Sequence, residues 1–135
     1  MKTIDMKKLL VFLGLFGSLS LYAQTVPEYC NQLPLAKVDQ KAELTNDLTE
    51  LITSELPSNM KKGNFEASYK YFVDCKGAVD QCVYFKGDLS SDQQAWLTAV
   101  MGKATWKAGV NEDKYVTSVI FIQVKIVNGK VELTL

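Results

Sequence analysis

Between Phe65 and Asp74 apolar and polar positions alternate: Phe65, Ala67, Tyr69, Tyr71 and Val73 fall on one side, Glu66, Ser68, Lys70, Phe72 and Asp74 on the other. A period of two marks a strand with one face turned to a core. The segment DCKGA (74 to 78) supplies turn residues, and VDQCVYF (79 to 85) returns as a second strand. Upstream the period differs. Leu44, Leu48, Leu51 and Ile52 follow i, i+4, i+7, i+8 spacing and Pro57 stops the pattern, which predicts an amphipathic helix over about Asp39 to Glu55. Downstream, Ser91-Asp92-Gln93-Gln94 fits a capping box that opens a second helix. Trp96, Val100 and Lys103 lie along one stripe of that helix, with Leu97, Met101 and Ala104 beside it. Such spacing places Trp96 in the core rather than around a ligand. Val116 to Ile126 is rich in β-branched residues and predicts a third strand; Asn128-Gly129 then suits a type I′ hairpin turn into a fourth, VELTL (131 to 135).

The order helix, strand, strand, helix, strand, strand predicts an α+β fold: an antiparallel sheet of three to four strands with two helices packed on one face. The polar content narrows what such a fold does. Lys2, Lys7 and Lys8 precede an apolar run of 13 residues, LLVFLGLFGSLSL, that ends before Tyr22-Ala23. These are the parts of a secretory signal peptide, and the run is shorter than the roughly 20 residues that span a bilayer. Residues 1–23 are therefore expected to be removed before Gln24, leaving one domain, 24–135, without a membrane span, in the periplasm or secreted. The whole chain has 15 Lys against 15 acids; losing three Lys and Asp5 with the leader leaves a net charge of −2. No basic field is available for nucleic acid or anionic lipid. The chain lacks His and Arg, which removes the usual general base, the commonest metal ligand and the phosphate-gripping fork. No cofactor or metal is expected. The best catalytic actors would be Asp74, Asp80 and Asp88 near the first hairpin, where turns ordinarily carry Asp, so catalysis is not expected.

Cys30, Cys75 and Cys82 remain. In an exported chain they read as one bridge and a spare thiol. Across the hairpin Cys82 should face Tyr71, which separates it from Cys75 by more than the roughly 7 Å that a disulfide tolerates between Cα atoms. Cys30 is thus one partner. Cys82 is favoured as the other over Cys75, because Cys75 lies in the turn and should be more exposed; both pairings stay open.

Taken together, FVDCKGAV (72 to 79), QQAWL (93 to 97), WKAG (106 to 109) and the strand from Val116 resemble the C-terminal domain of TonB and its relatives in Gram-negative bacteria. VPEY (26 to 29) resembles the element that opens such domains in Bacteroidetes, and Leu56-Pro57 the Tyr-Pro that ends their first helix. The resemblance covers nearly all of residues 24–135. It departs at Ala108, where the corner motif has Pro, and in a stretch from Gly63 to Asp74 about two residues longer than usual. The membrane anchor and Pro-rich linker of TonB itself are not in the sequence, so an energy-transducing role is not expected.

The resemblance implies a protein-interaction module. In the family the last strand, here Val116 to Ile126, is thought to meet a short segment of an outer-membrane receptor by strand addition. The Asn128 hairpin changes this: Val131, Glu132, Leu133, Thr134 and Leu135 either become the docking edge for envelope partners or close it. Trp106, Lys107 and Gly109 form the family's corner, with Trp106 expected to seal the core and Gly109 to supply backbone freedom. The alternative function is a small structural protein of the envelope that self-associates through its edge strand or spare thiol.

Overall fold

The computed structural model describes residues 28–30 and 33–135; the signal-peptide assignment and Val26-Pro27 lie outside them. The fold is α+β with two helices on one face of a four-stranded antiparallel sheet. The sheet runs in the order β4-β3-β8-β9, where β3 is Asn64–Val73, β4 Val79–Gly87, β8 Ser118–Val127 and β9 Lys130–Thr134. The alternation from Phe65 holds: Ala67, Tyr69, Tyr71 and Val73 are buried, and Tyr71 pairs with Cys82 as the hairpin requires. Ile120, Ile122, Val124 and Ile126 continue the same face across β8. Asn128 (φ 49°) and Gly129 (φ 82°) form the tight turn into β9, and the Asn128 amide oxygen accepts a bond from the Gly63 N–H at 3.1 Å.

The first helix is shorter than its spacing suggested. It covers only Leu48–Ser54 (α1), because the Asp47 side chain accepts a bond from the Glu50 N–H and caps the helix there. Glu43–Leu44 instead forms β2, paired with β5, Trp106–Lys107. Leu44 and Leu48 are four apart by spacing alone; the ladder to Trp106 takes the residues before Asp47 out of the helix. The second helix, α2, is Ser91–Met101, and its capping box lies one residue earlier than expected. Ser90 is the cap, with Gln93 reaching back to it at 3.0 Å; adjacent serines made the frame ambiguous. Trp96 is half-buried rather than fully enclosed, and Leu97, Val100 and Met101 carry the packing.

The predicted third strand is divided. Lys114–Val116 (β7) pairs with Gly109–Asn111 (β6) and, in parallel, with Glu28–Tyr29 (β1), whereas β8 starts at Ser118 and joins the main sheet. The β-branched run crosses from one sheet to the other at Thr117.

Two tyrosines fasten β3 to α2. The Tyr71 hydroxyl donates to the Met101 carbonyl at 2.6 Å, and Tyr69 shares a 2.9 Å bond with the Thr98 hydroxyl. Burial pushes the Tyr69 phenol up to about 12, opposed only in part by the Thr98 bond, and drives Tyr71 further the same way. The folded state thus favours neutral phenols. Their contribution is complete below about pH 10, where unfolded tyrosine begins to ionise, and is lost as pH rises through the folded value. Urea unfolding should therefore show a loss of about 2–3 kcal/mol from Tyr69 alone between about pH 10 and 12. Tyr69→Phe should flatten that dependence; an unchanged slope would contradict it.

Candidate functional site

The corner motif belongs to the core. Trp106 is 6% exposed, and its ring lies 5.3 Å from that of Tyr71, tilted by 57°. Its indole Nε1 is buried and makes no hydrogen bond among the described residues. Lys107 points to solvent, and Ala108 is buried where the motif has Pro. Gly109 acts differently from expectation. It is not among the residues at positive φ; instead, a Cβ there would stand 3.1 Å from the Ser118 hydroxyl and 3.2 Å from the Gln40 carbonyl. Close approach of three segments, not backbone freedom, explains the glycine.

The cysteines pair otherwise than favoured. Cys30 is joined to Cys75, with Cα atoms 5.3 Å apart, and Cys82 is free. The parallel pairing of β1 on β7 brings Cys30 to the first hairpin. Cys75, although in the turn, is 1% exposed because that segment closes over it. Cys82 faces Tyr71 from β4, and burial raises its pKa, with the Tyr71 hydrogen bond opposing. It stays a protonated thiol at neutral pH, which makes it a poor link for dimerisation.

The three acids singled out for chemistry are not brought together. Asp74 accepts bonds from the Lys76 and Ala78 N–H groups, and Asp88 accepts from the Glu66 N–H. Asp80 sits near the start of β4 and Asp88 follows its end, so about eight strand residues, roughly 26 Å, separate them. No group of three metal-ligating side chains occurs among the described residues.

The terminal strand is the remaining feature. β9 lies at the edge of the sheet and pairs on its inner side with Gln123 to Val127. Lys130, Glu132 and Thr134 form the ladder pairs set by the two-residue turn, so the period of two turns the N–H and C=O of Val131 and Leu133 outward. Among the described residues no strand pairs with that outer side. Val131 and Leu133 send their side chains to the core, Glu132 and Thr134 lie exposed, and Leu135 is 61% exposed.

β9 covers only part of β8. Farther along the same side, Leu35 bonds the Thr117 carbonyl at 3.0 Å and accepts from the Val119 N–H at 2.9 Å. Between Leu35 and Thr134, alternation leaves the main chain of Phe121 facing a gap. A cavity of about 160 Å³ opens there, lined by Ala36, Val38, Ala42, Ile120, Phe121 and Leu135, with Lys41 and Val119 completing the wall. Sequence reasoning saw the edge but not this notch, because Leu35 lies in a segment without periodicity. Comparison of the chain with protein-family models, with curated proteins and with solved structures gave no match.

Proposed function

We propose that the protein is an exported protein-interaction module of the cell envelope, which takes up an extended peptide along the outer edge of β9. The observation that carries this reading is the outward main chain of Val131 and Leu133 on an edge strand whose one acid, Glu132, is its only negative charge. Outward main-chain groups of this kind, even on a strand of five residues that carries Lys130 beside Glu132, accept another strand by main-chain hydrogen bonds. The notch beside Leu135 would receive an apolar side chain of the same peptide. The resemblance to TonB C-terminal domains supports strand addition as the mode of binding; because β9 covers part of the β8 edge, the edge offered here is that of β9. The Cys30–Cys75 bond agrees with an oxidising compartment, and among the described residues no helix is long and apolar enough to cross a membrane. Asp74 and Asp88, tied into turns by main-chain bonds, favour binding over catalysis.

Panning a displayed library of short peptides should enrich sequences with alternating apolar residues. Their addition should shift the amide resonances of Val131 and Leu133, and Leu133→Pro, which removes one outward N–H, should abolish binding while far-UV dichroism stays the same. Absence of enrichment, or binders indifferent to Leu133→Pro, would remove the basis for strand addition at β9.

A further inference from the structure

The notch beside Leu135 is closed along β8 from both sides. Leu35 takes up the Thr117 carbonyl and the Val119 N–H, and the β9 ladder ends at the pair of Gln123 with Thr134. One position is left between them. Alternation turns the N–H and the C=O of Phe121 together into this gap, and neither has a hydrogen-bond partner among the described residues. A strand arriving from the β9 side meets Leu35 directly after Phe121. The gap therefore suits the end of a strand better than its middle.

Charge decides which end enters. Lys41 stands in the wall of the notch and makes no ion pair among the described residues. Asp39, the one acid between Lys37 and Lys41, has a carboxylate oxygen 2.9 Å from the Glu112 N–H, which it accepts. A mouth of this charge attracts a carboxylate and repels an ammonium. The rest of the lining, Ala36, Val38, Ala42, Ile120 and Leu135, is apolar and encloses about 160 Å³. An apolar cavity of about that size holds a group as large as benzene.

We propose that the notch captures the C-terminal residue of the bound peptide, an apolar amino acid with a free carboxylate. This rests on the reading of the protein as a peptide binder and names the part of the peptide that the notch takes. The N–H of the terminal residue donates to the Phe121 carbonyl. One carboxylate oxygen accepts from the Phe121 N–H, the other meets the Lys41 ammonium, and the side chain fills the apolar space. The two bonds to Phe121 are those of one antiparallel ladder pair, so the peptide runs antiparallel to β8 and parallel to β9. From the outer edge of β9 it has to cross the width of one strand, about 4.8 Å, beyond Leu135 to reach Phe121.

Titration of the isotope-labelled protein with N-acetyl-leucine, a probe too small to need the β9 edge, tests this. The Phe121 amide resonance should shift with a dissociation constant in the millimolar range, ordinary for so small a ligand. N-acetyl-leucine amide, which lacks the charge, should bind about tenfold more weakly or worse, and Lys41→Gln should reduce affinity for the acid to a similar degree. Ala36→Trp, at an exposed position of the wall, should block the probe. Leu133→Pro should leave its binding unchanged. A Phe121 resonance that stays in place, or equal binding of acid and amide, would overturn the proposal. Equal binding of 4-methylpentanoate, which has the same apolar group and carboxylate but no amide, would overturn it too and would assign the notch to free acyl carboxylates. The two sites fail separately: library peptides lost in Leu133→Pro with a silent probe would remove the notch and keep the β9 edge. A probe that binds as expected beside peptides indifferent to Leu133→Pro would keep the notch and remove the edge.

Discussion

Trp106→Ala is expected to lower the stability of the fold by about 3–5 kcal/mol, the range for emptying a large buried aromatic site. The side chain is 6% exposed and packs on Tyr71, whose hydroxyl ties β3 to the end of α2. Its backbone pairs with Leu44 in the short ladder that draws residues 43 and 44 out of the helix. Truncation therefore opens a cavity where three segments meet, and the surroundings have little freedom to collapse into it. Trp106→Phe should behave differently. The indole Nε1 has no hydrogen-bond partner among the described residues, and an unsatisfied buried donor carries a penalty of about 1–3 kcal/mol that phenylalanine removes. That gain offsets much of the lost volume, so the phenylalanine variant should retain most of the stability. Urea unfolding of both variants checks the pair. A loss under about 1 kcal/mol for Trp106→Ala, typical of surface sites, would show that the corner is not part of the core.

What the sequence disclosed depended on whether a local signal competed with a distant one. The alternation through Tyr69 and Tyr71 and the Asn128-Gly129 turn are local, and the structure follows them to the residue. Leu44 had helical spacing to Leu48, but its partner, Trp106, is 62 residues away, and no periodicity records such a pairing. The same reason hid the change of sheet at Thr117 and the place of Leu35 beside β8. Turn position does not measure the exposure of Cys75, whose burial comes from the N-terminal segment lying against the turn. The β9 edge was legible, since a two-residue turn fixes which groups face outward. The notch was not: its wall at Ala36, Val38 and Lys41 comes from a segment without periodicity.

Loss of the Cys30–Cys75 bond should be comparable in size to loss of the Trp106 ring. The bond closes a segment with a separation of 45 residues, for which restriction of the unfolded chain amounts to about 4 kcal/mol. Little else holds the beginning of the described chain. β1 contributes only two residue pairs to β7, and the next anchors are single bridges, Leu35 to Ser118 and Gln40 to Val110. The double change Cys30→Ala with Cys75→Ala, which leaves no thiol in the buried site, should therefore lower stability by about 3–4 kcal/mol. Amide exchange should accelerate first at Tyr115 and Val116, whose pairing with β1 loses its tether. The β8–β9 ladder should keep its protection, because it is formed by a tight turn and local pairing that do not pass through the bond. Cys82→Ala, outside the bridge, should leave the disulfide contribution intact. If the double variant unfolds at the same urea concentration as wild type, the short strands and bridges alone suffice to seat the N-terminal segment. Uniformly faster exchange, β9 included, would instead show that this segment and the β9 edge open as one cooperative unit.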